Sequence, residues 1–365
     1  MSVIIRPFRH DPGSLDWAGI CALYEKVYGL EVAKRRERAL RWVTLENPVD
    51  LPEARRYVAD DDGRIVGSSG RMAVRFTVAG RPFLVRYAHD LLVDPDYRGQ
   101  KLGERIVEEV VKQTDSPLGG LWMTDASYHI HQKGGLPAMT PAYGQVRLLN
   151  PAASLERRLP RALARIGGSL ARAAFAIRSV DAWGRDPAGY TVEETESLAP
   201  AAGVIWPEAS PLLGVAAVRD DAYVHWRFDG APNTRYVKLV ARKDGRPRGT
   251  LALRLPEPGG AGGTAAAVDF LARPDEPDAI TALFREALAR ARAAGAPSLG
   301  ALTTCAPFRR RLTRLGFIRA PRLQTFVLRY LPEHPEAIRH TANWYLTFTD
   351  SDGDVWTGAQ PATRV

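Results

Sequence analysis

The spacing of apolar positions changes several times along the chain, and each change marks an element. Residues 3–8 (VIIRPF) read as a short first strand. Leu15, Ile20, Leu23, Tyr24 and Val27 then recur at three- and four-residue steps, with Asp16 near the start and Gly29 just past the end, which predicts a helix. A second helix over 33–45 carries Leu40, Trp42 and Val43 and stops before Asn47-Pro48. From there to Pro95, β-branched and aromatic runs are separated by Asp62-Gly63 and Ala79-Gly80, the turn chemistry of antiparallel hairpins, so three or four strands are expected. After Pro95, Leu102, Ile106, Val107, Val110 and Val111 form one apolar helical face, and GGLWMTDAS reads as one more strand.

The second half repeats this order. From residue 186 a helical stretch leads into the paired block RYVKLVARKDGRPRGTLALRL, then a strand AAAVDFLA, a helix over 278–294, a strand LGALTT, the segment PFRRRLTRLGFIRA and a last strand LQTFVLRY. PEPGGAGG reads as a long hairpin tip and not a phosphate cradle, because no GK[ST] follows it. Between the halves, PAASLERRLPRALARIGGSLARAAFAIR is rich in arginine and broken at Gly167-Gly168, the pattern of a solvated basic connector. The expected fold is α+β, with two domains over 1–149 and 186–332, a basic helical linker over 150–185 and a tail over 333–365 anchored by NWYLTF. Each domain should hold a mixed, mostly antiparallel sheet flanked by helices.

Composition narrows the function classes. A length of 365 residues suffices for two cores, and 45% hydrophobic with 25% charged residues excludes disorder, collagen-like repetition and coiled coil. A net charge of +9 favours anionic partners. Arginine outnumbers lysine amid abundant Ala, Gly and Pro, which reads as coding bias, so a nucleic-acid partner is not expected. Cys21 and Cys305 stand alone with no CxxC, which leaves neither a disulfide framework nor a structural zinc site. The N-terminus meets a charge at Arg6 and no apolar run is long enough to span a bilayer, so a cytoplasmic location is expected.

The stretch DLLVDPDYRGQKLGERIVEEVV, residues 90–111, carries the chemistry. An apolar strand ends in Val-Asp-Pro, a turn follows at Arg98-Gly99, and Gly103 sits in the first turn of an amphipathic helix. The first N–H groups of a helix have no internal partner and the macrodipole is positive there, so a diphosphate can be held largely by main chain. Arg98 and Lys101 add positive charge beside the turn. Dinucleotide binding would need GxGxxG directly after the first strand of a parallel unit, whereas this turn follows an antiparallel meander.

In its spacing R-G-Q-K-L-G after V-D-P, this segment resembles the diphosphate loop of the GNAT superfamily of acetyl-CoA-dependent N-acyltransferases, of form [RQ]-x-x-G-x-[GA]. Arg98 matches the first position and Gly103 the last, while Lys101 replaces the glycine of the fourth. The resemblance covers residues 3–148 and implies that the backbone of Leu92 and Val93 pairs with the pantetheine arm. It implies likewise that amides of Arg98, Gly99, Gln100, Lys101, Leu102 and Gly103 bind the diphosphate of acetyl-CoA, the co-substrate. PFRRRLTRLGFIRA resembles the later helix-turn segment of the same family, but the second-half counterpart of the loop has Asp275, Glu276 and Asp278 and no glycine, so that copy is expected to have lost CoA binding. YVHWRFDGAPNTRY resembles a segment of similar two-domain bacterial proteins; a packed Trp with buried arginines is one reading and substrate binding the other.

Acyl transfer to an amine requires the neutral amine, and an alkylammonium of pKa about 10.4 reaches that form at pH 7 at a cost of about 4–5 kcal/mol. His89 and Asp90 lie on the strand before the loop, on opposite faces by strict alternation, so one of them can face the cleft; Asp90 is the preferred base. For the acid that protonates the leaving thiolate, the resemblance points to a tyrosine on the helix after the next strand, here Tyr128, with Tyr143 as the alternative. His129 and His131 lack a third ligand, and the aspartates of TDSDGDVW lack the glutamate of a calcium loop, so no metal is expected. No Cys or Ser stands beside an identifiable base, which favours direct attack. The acceptor is a small-molecule or protein amine. The competing reading is an acyl-CoA-binding sensor or scaffold without turnover, and a further one is nucleic-acid binding through the linker.

Overall fold

The computed structural model describes residues 3–49, 55–78, 80–151, 187–257, 263–351 and 355–356. The basic linker, most of the Gly-rich hairpin tip and two of the tail aspartates lie outside these residues. The first half runs β1 (Ile4–Pro7), α1 (Leu15–Tyr28), α2 (Leu30–Leu45), β2 (Arg56–Asp61), β3 (Arg64–Val78), β4 (Arg81–Val93), α3 (Leu102–Lys112), β5 (Leu118–Leu121), α4 (Asp125–Lys133) and β6 (Ala142–Leu148). The second runs β7 (Tyr190–Glu194), α5 (Ala199–Ala209), β8 (Val215–Ala217), β9 (Val237–Lys243), β10 (Arg246–Arg254), β11 (Ala265–Ala272), α6 (Asp278–Ala293), β12 (Ser298–Leu302), α7 (Ala306–Arg314), β13 (Ile318–Gln324), β14 (Phe326–Arg329) and β15 (Trp344–Tyr345). The two halves repeat one plan in the expected α+β class.

Local chemistry fixes the entry to the fold. The Ser14 hydroxyl caps α1 by accepting the Trp17 amide at 3.2 Å. Asp16 in the first turn takes a bidentate pair from Arg6 at 2.6 and 2.7 Å, tying β1 to α1. Gly29, at φ +79°, is the hinge between α1 and α2, a conformation that a side chain would strain. Next to β1, the His10 Nε2 accepts the Arg55 amide at 3.2 Å. Burial, then the charges of Arg55 and Arg56, lowers the His10 pKa to about 4. An unfolded imidazole titrates near 6.5, so between about 6.5 and 4 the unfolded chain takes up a proton that the folded one refuses, and stability falls as the pH drops through that window. Urea unfolding at pH 7 and pH 5 should show a smaller loss for His10→Gln than for the wild type; equal losses would remove His10 from the account.

The two sheets exchange strands. The first has the order β1-β2-β3-β4-β5-β14, with β8 on the end of β3 and β15 beside β8. The second has the order β13-β6-β12-β11-β10-β9-β7. After α4 the chain therefore leaves its own sheet, and β6 pairs with β12 from Ser298↔Leu148 to Leu302↔Gly144. In return β14 pairs with β5 from Phe326↔Leu121 to Arg329↔Leu118. The first sheet thus takes β8, β14 and β15 from the second half of the chain, and the second sheet takes β6 from the first. Around the expected NWYLTF anchor, Trp344, Tyr345, Leu346 and Asp350 are all 2% exposed or less.

A second joint links α2 to a π-helical turn at His225–Asp229. Trp42 and Trp226 stack with centroids 4.2 Å apart and planes 5° off parallel. Each indole N–H donates to the other's backbone carbonyl, at 3.1 Å from Trp42 and 3.3 Å from Trp226. The neighbouring Arg227 is buried and donates to the Tyr236 hydroxyl and the Ser351 carbonyl. The YVHWRFDG segment is therefore a packed joint between the halves.

Candidate active site

The site is built where β4 and β5 part. They pair in parallel at Arg86↔Leu118 and Tyr87↔Gly119, and no pairing continues beyond. The rest of β4, through Val93, has β3 on one side only. Asp94 donates its amide to Val66 on β3 at 2.9 Å, so by alternation Val93 turns its amide and carbonyl to the open side. The Val93 carbonyl is touched there by Arg98 Nε at 3.4 Å.

A β-bulge interrupts this strand. Gly70 faces His89 and Ser68 faces Leu92, which leaves Asp90 and Leu91 opposite Ser69, with Asp90 at φ +50°. The extra residue breaks the alternation that would put His89 and Asp90 on opposite faces: Trp356 stacks on His89 and lies beside Arg36 and Arg56, the partners of Asp90. This corrects the expectation from the sequence.

The Asp90 carboxylate is 1% exposed and held by Arg36 at 2.7 Å, Arg56 at 2.8 Å and the Tyr24 hydroxyl. Burial raises the Tyr24 pKa well above its usual value, so this phenol stays protonated and donates. His89 stacks on Trp356 at 5.5 Å, and Gly70 admits its ring, since a Cβ there would lie 2.3 Å from it. Burial, and then the charge of Arg56, holds the His89 pKa far below 6.5, so it is neutral at pH 7. The anchors Tyr24, Arg36 and Arg56 and the cover Trp356 were not anticipated. A signal for one existed: Arg36 falls on the apolar stripe Ala33, Leu40, Val43 of α2, where a cation needs a buried counter-charge.

The loop that follows is held from behind. Asp94, 1% exposed, accepts Lys26 at 2.7 Å, Arg64 at 2.8 Å and the Asp96 amide at 3.0 Å. Burial raises its pKa, and the Lys26 ammonium with the Asp96 amide outweighs that, for a net lowering. The turn proceeds through Gly99 at φ +78° and Lys101 at φ +58°, and α3 starts at Leu102 with no side-chain cap. From Gly99 through Glu104, six successive amides donate to no acceptor among the described residues. Arg98, Gly99, Gln100 and Lys101 are exposed, whereas Leu102 and Gly103 are buried. At Gly103 an added Cβ would stand at ordinary contact distance, 3.5 Å, from Ile130 of α4.

Tyr128 is half-buried on α4, the helix that follows β5. Tyr143 lies elsewhere, on β6 in the second sheet, with the Arg319 guanidinium over its ring. His131 is buried and bonds back to the Ser127 carbonyl at 2.8 Å, while His129 packs beside Tyr128. Among the described residues no group of His, Cys, Asp and Glu could hold a metal, and no helix is long and apolar enough to cross a membrane. Burial raises the pKa of both cysteine thiols to about 11.

The second half contains the same parting of strands, and the chain itself fills it. β11 and β12 pair in parallel only from Ala265↔Leu299 to Ala267↔Ala301. Beyond, Tyr345 donates to the Phe270 carbonyl, and the Thr347 and Thr349 hydroxyls donate to Asp269 at 2.7 and 3.0 Å. On the β12 side Thr304 donates to the Trp344 carbonyl and accepts the Leu346 amide at 3.0 Å. Arg219 closes the plug, bonding Asp269 at 3.0 Å and Asp350 at 3.4 Å. At the position of the loop, Asp275 pairs with Arg273, Glu276 with Tyr190 and Asp278 with Arg311.

Comparison with known proteins finds one family match, in the first half of the chain. The family model of the GNAT acetyltransferase domain matches residues 12–133. A GCN5-related N-acetyltransferase from Anabaena variabilis ATCC 29413 superposes with a TM-score of 0.59 at 10% identity, over 90% of this chain and 72% of that one. One from Kribbella flavida gives 0.54 at 14%, over 90% and 71%. Saccharomyces cerevisiae N-myristoyltransferase with bound myristoyl-CoA gives 0.56 at 14%, over 94% and 88%. At such identities these structures share the fold. No curated protein sequence matches the chain. Residues 12–133, which hold the parted strands and the loop before α3, are thus the part of the chain that is similar to the GNAT acetyltransferase domain.

Proposed function

We propose that the protein transfers an acyl group, acetyl in the simplest case, from acyl-CoA to a primary amine by direct attack on the thioester. The observation that carries this reading is the run of six unpartnered amides from Gly99 to Glu104, set at the N-terminus of α3 beside the open edge of β4. Such a cradle suits a diphosphate, since each amide donates to it without losing an internal bond and Arg98 and Lys101 lie alongside. Leu92 and Val93 supply the strand along which the pantetheine arm extends. The neutral amine attacks the carbonyl carbon, the C–S bond breaks as the tetrahedral intermediate collapses, and the thiolate takes a proton.

Tyr128 is the candidate for that proton, from its place on the helix after β5. Of the two candidates for the base, His89 remains, neutral at pH 7 and packed against Trp356. Asp90 is committed to three donors, and we assign it to holding α1 and α2 on the bulge. The plug over the second β11–β12 opening leaves one CoA cradle per chain in this reading. Thiol release from acetyl-CoA with a panel of amines separates an enzyme from an acyl-CoA-binding scaffold, which would bind without releasing thiol. Tyr128→Phe should lower kcat by about 10²–10⁴ with an unchanged melting temperature, the usual share of a general acid; an unaltered kcat would assign the proton to another donor.

A further inference from the structure

We infer that the second sheet carries a separate binding site for a small phosphorylated molecule with a planar or apolar body, on the face formed by β6, β13 and α7. Gln145 of β6 and Arg319 of β13 are cross-strand partners there, and Tyr143 lies two residues along β6 on the same face. α7 brings Arg309, Arg310 and Arg314 to the same groove, which encloses about 510 Å³. Among the described residues none of these four arginines has a carboxylate partner, whereas Arg311, on the same helix, pairs with Asp278 at 2.9 Å. Four guanidiniums gathered without counter-charge repel one another and suit a multiply charged anion.

A second cavity of about 670 Å³ adjoins the groove and shares Tyr143, Ala306 and Arg309 with it. Its walls are largely apolar, from Pro141, Leu212, Leu213 and Pro274. Each cavity also contains one polar group that burial leaves without a hydrogen bond. They are the side-chain oxygen of Gln145, a residue lining the first, and the hydroxyl of Thr341, a residue lining the second; the residues are 7% and 6% exposed. Buried polar atoms of this kind are costly unless something satisfies them. Both cavities have the size of small-molecule sites. Phosphates among the arginines, a donor on the Gln145 oxygen and a base in the apolar cavity together describe a nucleotide-like ligand. The site does not depend on the proposed reaction, because neither cavity includes a residue of the loop before α3.

The test is calorimetric titration of the full chain with ADP, for the wild type and for Arg310→Ser/Arg314→Ser. ADP should bind the wild type, and the double variant should lose a binding component, with affinity there lowered at least ~10-fold through two charge-assisted bonds. Arg319→Ser should act in the same direction. Since all three arginines are exposed, unchanged thermal midpoints should accompany these losses. Any ADP held by the loop before α3 is common to all variants, so a failure of CoA binding would show in the component that survives the substitutions. Identical isotherms for wild type and variants, or no heat in the wild type, would overturn the inference.

Discussion

Replacing Asp90 by Asn lowers the unfolding free energy by about 3–5 kcal/mol, the cost of leaving buried charges without their partner. Arg56 is 0% exposed and the Arg36 side chain 11%, and both spend a guanidinium nitrogen on this carboxylate. Asparagine keeps the shape and tolerates the positive φ at this position, so strain is not the cause. The outcome separates two roles. An anchor loses stability, and the fraction still folded keeps measurable turnover with a raised KM, because α1 and α2 are no longer fixed on the bulge. A general base loses kcat by orders of magnitude with a melting temperature that hardly moves. Urea unfolding and steady-state kinetics on one preparation decide between them, and a normal unfolding midpoint would contradict the anchor.

Trp226→Ala is expected to cost about 3–5 kcal/mol, the range for truncating a buried aromatic side chain. The indole is 5% exposed, stacks on Trp42 and donates to its carbonyl. The variant should still unfold in one transition, because the exchange of β6 and β14 leaves neither sheet complete alone. Trp226→Phe keeps an aromatic ring in the joint and forfeits the hydrogen bond, worth about 1 kcal/mol. Two separated transitions in wild-type calorimetry would refute the coupling of the halves.

Most elements are legible in the sequence because they rest on local patterns. The amphipathic faces of α1 and α3, the Asp62-Gly63 turn and the Gly99 and Gly103 spacing each state their geometry within a few residues. What the sequence hides is non-local. β6, AYGQVRL, is not among the strands expected from the sequence, and nothing in it says that its partner is 150 residues away in β12. The plug at 344–350 looks like a polar tail with an apolar anchor, and its aspartate and threonines acquire meaning only against Arg219 and Asp269. At the site, the loop follows from its motif, whereas the faces of His89 and Asp90 do not. A single inserted residue reverses the strand parity, and no local pattern announces a bulge at a non-glycine residue with φ +50°. Arg36 and Arg56 are misfits in their own elements until the carboxylate between them is seen.

In the proposed function, main-chain amides from Gly99 to Glu104 hold the diphosphate of CoA. Calorimetric titration of the wild-type chain with CoA, set beside pantetheine, which lacks the phosphates, tests it most directly. CoA should bind saturably and pantetheine at least ~100-fold more weakly, the share of two or more charge-assisted hydrogen bonds. Equal affinities for the two, or no heat with CoA, would contradict it.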